Sequence, residues 1–265
     1  MTPRIKISML TILLASLMPS LRVEANGVTD LQKQLLALSG DTPIEVTLES
    51  SHSQNRDRDD KHKTTTGYIA LKAAADKTGL HLIYDQDILN RIEKEQLLLE
   101  QDEHADTPTR NALNRLDTSD VNEMLSTAPS LLRFVNKAKF IDESVAGLNG
   151  KKVRRLVFDL PLESVVESSE VRDYVDEFEG KYTIFIDDEG VPLESILSFN
   201  GSGSAFVIFS VEMAFTRTAR FAKHGARLVK VQEETQQTST STFADTESTE
   251  IRQLTILSPQ LVNRM

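Results

Sequence analysis

The side chains best suited to chemistry lie in one polar stretch, residues 51–67. It carries imidazoles and carboxylates that are able to bind a metal ion, at His52, Asp57, Asp59, Asp60 and His62. Basic side chains stand between these groups, and the spacing follows none of the ordered patterns of zinc or calcium sites. The pattern favours a solvated, charged loop between two strands, and we expect no metal site there.

Serine nucleophiles are the next candidates. The stretch NGSGSAF places Ser202 and Ser204 among glycines, but its spacing differs from the G-x-S-x-G pattern of a nucleophile elbow and is typical of a flexible hairpin loop. The acidic run Asp187–Glu189 lacks the spacing of a calcium-binding loop and is interpreted as a turn. We therefore expect no enzyme and no cofactor. A hydrolase assembled from residues distant in sequence is the least favoured alternative.

The first residues have the layout of a secretory signal peptide. Basic residues precede the apolar segment Ile7–Met18, and Val23–Ala25 offers the residue sizes that a signal peptidase reads. The apolar segment is short for a membrane span. We predict cleavage of residues 1–25, a periplasmic location and a single α+β domain over residues 26–265. An uncleaved membrane anchor is the alternative. Because the chain has no cysteine, it has no disulfide and no residue to acylate.

The overall charge limits the partners. The formal net charge is −10 at pH 7, whereas nucleic acids and anionic membrane surfaces attract basic proteins. Neither is an expected partner. The hydrophobic fraction of 39% is ordinary for a globular domain. Once the signal peptide is removed, we do not expect an integral membrane protein.

The N-terminal part of the mature chain is predicted to be β-structure. Residues 43–49 alternate apolar and polar side chains, the pattern of a half-buried strand. Residues 67–84 fit either a helix that ends at Gly79 or a hairpin that turns at residues 76–79. Residues that favour β-structure flank both sides of this turn, and they favour the hairpin.

A helical segment interrupts the strands at about residues 85–140. Its helix starts are indicated by the capping hydroxyl of Thr107 before Pro108, by Ser119 and by Pro129. The last helix has apolar residues at helical spacing, Leu132 among them. These helices are short and amphipathic, and we expect them to cover an apolar surface.

The chain returns to strands after the helices. Asn149–Gly150 is a strong signal for a two-residue hairpin turn, and residues 180–201 predict a second hairpin that turns at Asp187–Gly190. A Gln/Thr/Ser-rich run precedes the last strand. The remaining predicted strands are at residues 205–215, 226–231 and 251–257. The expected fold class is α+β: a curved, half-barrel-like antiparallel sheet, with the short helices inserted between an N-terminal and a larger C-terminal group of strands.

The strand at residues 205–215 indicates a binding surface. Phe209, Met213 and Phe215 share its uninterrupted apolar face, and Leu132 lies on a helix predicted to act as a lid. An open face of this kind would receive a lipid, a lipoprotein acyl chain or an apolar peptide. The same pattern is the normal way to build a closed core, and for this strand taken alone the core is favoured.

Several segments, in order, carry a resemblance to a known group of proteins. They are DTPTRNALNRL, APSLLRFVNKAKF, GKKVRRLVFDLPL, GKYTIFIDDEGVPL, FVIFSVE and GARLVKV. With the signal peptide, they resemble an uncharacterised family of exported proteobacterial proteins. These motifs are turns and strands, so they assign no functional residue.

The expected architecture is also similar to a second group. A curved sheet with helices in its concavity resembles the lipoprotein carriers LolA and LolB, although this chain lacks the lipidated cysteine of LolB. The resemblance implies a non-catalytic periplasmic module that binds a lipid or another apolar ligand. The alternative is a scaffolding or regulatory protein whose partner is an envelope protein.

Overall fold

The structure is a computed structural model that describes residues 27–58, 61–166, 168–205 and 209–257. The predicted signal peptide at residues 1–25 lies outside the described residues. No helix in the described ranges combines the length and the apolar composition that are needed to cross a bilayer.

The described helices are short. Four of them fall in the predicted helical segment, and the first, α1, was not predicted from the sequence. The helices are α1 (Gly27–Ala37), α2 (Gln86–Gln101), α3 (Pro108–Leu113), α4 (Thr118–Leu125), α5 (Ala128–Lys137) and α6 (Ser169–Arg172), with a 3-10 turn at Leu162–Ser164.

The strands form one antiparallel sheet in the order β3-β2-β1-β10-β9-β8-β7-β6-β5-β4. The sheet is open, because β3 and β4 lie at its two opposite edges. The strands are β1 (Ile44–Arg58), β2 (Lys61–Asp76), β3 (Gly79–Ile83), β4 (Lys139–Leu148), β5 (Lys151–Asp159), β6 (Val175–Ile186), β7 (Pro192–Ala205), β8 (Phe209–His224), β9 (Arg227–Ser241) and β10 (Asp245–Ile256).

This topology explains why helices cover one face of the sheet. The N-terminal strand β1 pairs with the C-terminal strand β10, from Val46 with Ile256 to Asp57 with Asp245. The chain then leaves the sheet at the edge strand β3 and re-enters it at the opposite edge strand β4. Helices α2 to α5 make this crossing, so they pass over the face and bury it. The α+β fold predicted from the sequence is confirmed.

The buried residues form two clusters under the helices. The first joins α1 and α5 to β5, β6 and β8, and its members Leu31, Phe158 and Ile184 have no exposed surface. The second joins α2, α3 and α4 to β1 and β2, with Leu48 and Ile69 equally buried. Each such side chain contributes roughly 1.5–3 kcal/mol relative to an exposed one. Where the helices lie, the face is therefore a closed core.

The predicted turns are confirmed. Residues 67–84 form a hairpin, because β2 pairs with β3 from Lys72 with Ile83 to Asp76 with Gly79. The turn at Asn149–Gly150 has positive φ at both residues, as a two-residue turn between twisted strands requires. At Asp187–Gly190, the Asp187 carboxylate accepts hydrogen bonds from the backbone of Glu189 and Val191.

Two polar stretches were wrongly predicted to be loops: residues 51–58 and 61–67 continue β1 and β2, and the NGSGSAF glycines belong to β7. The Gln/Thr/Ser-rich run, for which no structure was predicted, lies in β9 and β10. Residues 61–67 pair with β1 alone, because β3 pairs only with Lys72–Asp76, whereas the other stretches have a neighbouring strand on both sides. Where a stretch is paired, the ladder satisfies its backbone N–H and C=O groups. Polar side chains then face solvent without cost. Pairing, rather than side-chain hydrophobicity, defines these strands.

Candidate functional site

The sheet extends beyond its helices at strands β6, β7 and β8. Their helix-facing side chains form successive cross-strand rows, which begin under α5 and continue outward. On these strands, in this order, the rows are Ile184, Ser195 and Ala219; Tyr182, Leu197 and Arg217; Gly180, Phe199 and Phe215; and Phe178, Gly201 and Met213.

The outer rows carry a continuous surface that we call the apolar face. It consists of Phe178, Leu197, Phe199, Met213 and Phe215, and each of these side chains is only partly buried. The rings of Phe199 and Phe215 stack with centroids 4.9 Å apart and planes at 11°. The ring of Phe178 follows at 5.8 Å from that of Phe199. Aromatic pairs of this kind add about 0.5–1.5 kcal/mol beyond their burial, so the surface is ordered although it is open.

A glycine allows the outermost ring to lie on the sheet. A Cβ atom at Gly180 would lie 2.7 Å from the carbonyl oxygen of Leu160 and 2.9 Å from the ring of Phe178. No real Cβ atom comes so close to a backbone oxygen, so Gly180 is required for this packing. The ring therefore fills the space above Gly180 and extends the apolar face to the third strand.

Inward from the apolar face lies a cavity of about 170 Å³ between helices α4 and α5 and strands β6 to β9. Leu197 and Arg217 line it, and their next neighbours on the same face are Phe199 and Phe215. The cavity and the apolar face are thus contiguous along β7 and β8. The other apolar lining residues are Leu131, Phe134, Tyr182, Ala219 and Phe221.

The polar groups of the cavity are bound to one another. The Nζ atom of Lys230 lies 2.5 Å from Glu233 and 3.1 Å from Glu123. Burial would lower the pKa of Lys230, but the two carboxylates outweigh it and the pKa is raised. Burial likewise acts to raise the pKa of Glu233, but Lys230 and more distant arginines outweigh it and the pKa is lowered. Both groups therefore stay charged.

Tyr182 forms the wall of the cavity on β6. Its hydroxyl donates a hydrogen bond to Ser195 at 3.1 Å, and its ring meets Phe134 of α5 edge-on at 4.6 Å. Burial raises the pKa of Tyr182, so the phenol is neutral. It is a fixed hydrogen-bonding group in the wall of the cavity.

Arg217 stands at the junction of the cavity and the apolar face. Its side chain is exposed, and its guanidinium carbon lies 5.2 Å from the centroid of the Phe215 ring. Its Nε atom donates a hydrogen bond to Thr235 at 3.3 Å. Stacking on an aromatic ring is a stable position for a guanidinium group.

The structure brings together some of the predicted site residues. Met213 and Phe215 both lie on the apolar face, whereas the side chain of Phe209, the first residue of β8, lies outside the described part of the chain. Leu132 packs against the first core cluster. It does not line the cavity, so the structure does not join it to Met213 and Phe215.

The sequence prediction missed most of the surface. Phe178 lies two residues before the hairpin predicted at residues 180–201, so it was not expected to lie on the sheet. Leu197 and Phe199 alternate with polar residues on β7, a signal that was present in the sequence. The sequence did not indicate a binding role for Arg217, because a charged residue at the end of an apolar strand is typical of a solvent-facing position.

In residues 51–58 and 61–67, the side chains considered for metal binding are not brought together at one place. His52 is buried near α3, whereas His62 is exposed and its Nδ1 atom lies 2.6 Å from Asp57. Asp59 and Asp60 lie outside the described residues. In the described ranges, no group of three or more His, Cys, Asp or Glu side chains is placed to hold a metal ion.

A larger open groove of about 660 Å³ lies at the outer end of β6 to β9. Met213 and Phe178 reach it, but most of its lining residues alternate with the apolar face and so belong to the opposite face of the sheet. Glu177, Glu179 and Glu212 are among them. This acidic groove is unsuited to an apolar ligand.

Comparisons with known proteins give little further information. No protein-family model and no curated protein matches the chain. Among solved structures, the chain is similar to a DUF1329 family protein from Desulfovibrio piger, with 6% sequence identity, 89% of this chain and 93% of that chain covered, and a TM-score of 0.29. So distant a likeness carries no argument about function. The resemblance to the lipoprotein carriers stays a prediction.

Proposed function

We propose that the chain is a non-catalytic, exported protein that binds a lipid or another apolar ligand on the apolar face. One observation carries the proposal: on an uncovered part of the sheet, stacked and partly exposed aromatic side chains lie next to a cavity between the sheet and helices α4 and α5. Apolar area left in water costs about 25 cal/mol per Å². A contiguous patch of this kind usually marks a binding site.

The contrast with the core supports a binding role. Phe158, which lies on the same side of the sheet under the helices, has no exposed surface. Phe199 and Phe215 keep part of their surface accessible although they stack on each other. A residue whose only role is core packing is normally enclosed on all sides. The outer rows therefore have room for a guest.

The state of the cavity groups supports a role without catalysis. General acid–base catalysis works best when the pKa of the catalytic group lies near the working pH. Here the ion pair shifts the pKa of Lys230 up and that of Glu233 down, away from neutrality in both cases. Tyr182 is engaged with Ser195. These groups serve to build the cavity.

Export is part of the proposal and is supported by the sequence. The basic residues followed by the apolar segment Ile7–Met18 are typical of a signal peptide. The periplasm contains lipids and acylated proteins in transit, which are ligands suited to an apolar face. A periplasmic location is thus consistent with the proposed binding.

A scaffolding role is the second candidate, and a specific observation favours it. The edge strand β4 exposes Ile141 and Val145, with 50% and 65% of their surfaces accessible. The free edge of a sheet offers unpaired backbone groups to an added strand. An envelope protein that adds a strand to β4 would cover these side chains.

Native mass spectrometry on protein purified from the periplasm of a bacterial host tests the binding proposal. We expect wild-type protein to carry an apolar adduct that extraction with organic solvent releases. Phe215→Ser should lose most of the adduct, because the substitution breaks the aromatic stack. Phe243→Ser should retain it, because Phe243 is an exposed ring in the turn between β9 and β10, outside the apolar face. Adduct-free wild-type protein, or equal adduct on both variants, contradicts the proposal.

A further inference from the structure

We infer that the ligand is an amphiphile with one anionic head group, and that Arg217 binds this head while the apolar face binds the chain. The inference rests on the proposed function and specifies its ligand. It depends on three observations: the place of Arg217 in the rows, the charge state of its surroundings and the direction of the apolar face.

The first observation is the position of Arg217. It occupies the second row, between the cavity and the stacked rings of the third row. The guanidinium lies over Phe215 and donates a hydrogen bond to Thr235 through Nε, so it is held in place while its side chain stays exposed. A guanidinium held in this way is prepared to bind a carboxylate or phosphate with paired hydrogen bonds.

The second observation is that Arg217 is not neutralised at close range. Among the described residues, no carboxylate lies within 4 Å of its guanidinium, whereas Arg154 lies 2.8 Å from Asp30 and Arg252 lies 2.8 Å from Asp120. Glu233 is the acidic group that interacts with Arg217 at longer range, and it already has Lys230 at 2.5 Å. In a chain of net charge −10, this leaves a cation at the mouth of an apolar site.

The third observation is the direction of the apolar face. From Arg217, the face runs along β8 through Phe215 to Met213, and across to Phe199 and Phe178. Two row steps along a strand measure about 13 Å. An acyl chain that starts at Arg217 can therefore lie on the rings over this length. The head and the chain of one amphiphile would each find a matching surface.

Displacement of the neutral dye Nile red tests the inference, with dodecanoate, dodecyl phosphate and dodecanol as competitors. We expect wild-type protein to bind an anionic competitor about tenfold more tightly than dodecanol, which corresponds to about 1.4 kcal/mol. Whether carboxylate or phosphate binds better identifies the head group. Arg217→Gln should remove this preference, so that the anionic competitors and dodecanol displace the dye with similar affinity. Arg217→Lys should restore part of it.

Lys223→Gln is the matched control. Lys223 is an exposed cation on the same strand, six residues and about 20 Å from Arg217, so its loss should not change the preference. If wild-type protein binds all three competitors equally, the inference is wrong but the proposed function stands. If Arg217→Gln and Lys223→Gln weaken anion binding equally, general charge rather than Arg217 is responsible, which also overturns it. If no competitor binds, both proposals fail.

Discussion

His52 is a buried titratable residue through which we expect the stability of the fold to depend on pH. Only 7% of its surface is exposed, and its ring occupies space that is free only because position 67 is glycine: a Cβ atom there would lie 2.2 Å from the imidazole. The positive charge of Arg115 lies nearby, and Glu250 opposes His52 across the strand pair but is bound to Arg252. Burial first, and then Arg115, lowers the pKa of His52.

The lowered pKa predicts a loss of stability in mild acid. Because the folded state binds a proton at His52 less readily than the unfolded state, the stabilisation is complete above the unfolded pKa of about 6.5. It decreases as the pH falls below that value. We expect the free energy of unfolding of wild-type protein, measured in urea between pH 7.5 and 5.5, to decrease more steeply than that of His52→Gln.

His62→Gln is the control for this measurement. His62 lies in the same hairpin but its side chain is 61% exposed. If this variant changes the pH dependence as much as His52→Gln does, the effect is not specific to the buried histidine. Parallel curves for His52→Gln and wild type would show that His52 does not contribute to the pH dependence.

At the scale of the elements, the sequence allowed the turns to be predicted but not the lengths of the strands. Asn149–Gly150 and Asp187–Gly190 define their turns through their own backbone preferences. The polar half of β1 has no such signal. It is a strand because β2 and β10 pair with it on both sides, and these partners are distant in sequence. The apolar face was only partly predicted for the same reason. Its residues lie on β6, β7 and β8, and they become neighbours only through the register in which these strands pair.

A helix cap was also assigned to the wrong residue. Thr107 precedes Pro108 as predicted, but its side chain makes no capping hydrogen bond. The cap comes from the buried Glu95 of α2, whose two carboxylate oxygens each accept a hydrogen bond of 2.9 Å from the backbone of Thr109 and Arg110. A carboxylate at this end of a helix satisfies free N–H groups and complements the helix dipole. The sequence of α3 alone contains no sign of it.

We predict that Glu95→Ala destabilises the protein by about 2 kcal/mol, because it leaves buried N–H groups of α3 without an acceptor. Thr109 is 3% exposed, so water has little access to replace the carboxylate. Glu93→Ala, at an exposed position of the same helix, should change stability by less than about 0.5 kcal/mol. Urea denaturation compares the two. Equal losses would mean that Glu95 contributes only general helix propensity.

At the scale of the whole molecule, a charged seam crosses the apolar interior. The core clusters meet at β9, where Leu228 belongs to the first cluster and Val229 to the second. The seam comprises Asp120 and Glu123 of α4, Lys230 and Glu233 of β9 and Arg252 of β10. It attaches the crossing helices to the sheet and forms the polar end of the cavity. The cavity thus depends on the contact that joins the two halves of the core.

We predict that a single substitution in the seam destabilises the protein much more than a double substitution that removes both partners of an ion pair. Lys230→Met leaves the carboxylate of Glu233, with 8% of its side chain exposed, without its nearest partner. Removing one partner of a buried ion pair costs about 3–5 kcal/mol, whereas replacing both by apolar residues is often neutral. We expect urea denaturation at pH 7 to show a loss of about 3 kcal/mol for Lys230→Met. The double variant Lys230→Met/Glu233→Met should recover most of it.

Recovery is expected because the remaining charges keep their partners. Arg252 retains Asp120 at 2.8 Å and Glu250 at 2.7 Å when Glu233 is removed, and Glu123 is 47% exposed and can turn towards water. Dodecanol binding by the double variant shows whether ligand binding depends on the charges of the seam or only on the shape of the cavity. Unchanged binding means that only the shape of the cavity matters. If the double variant is no more stable than Lys230→Met, the contact of Lys230 with Glu123 of α4 accounts for the loss, and the predicted recovery is wrong.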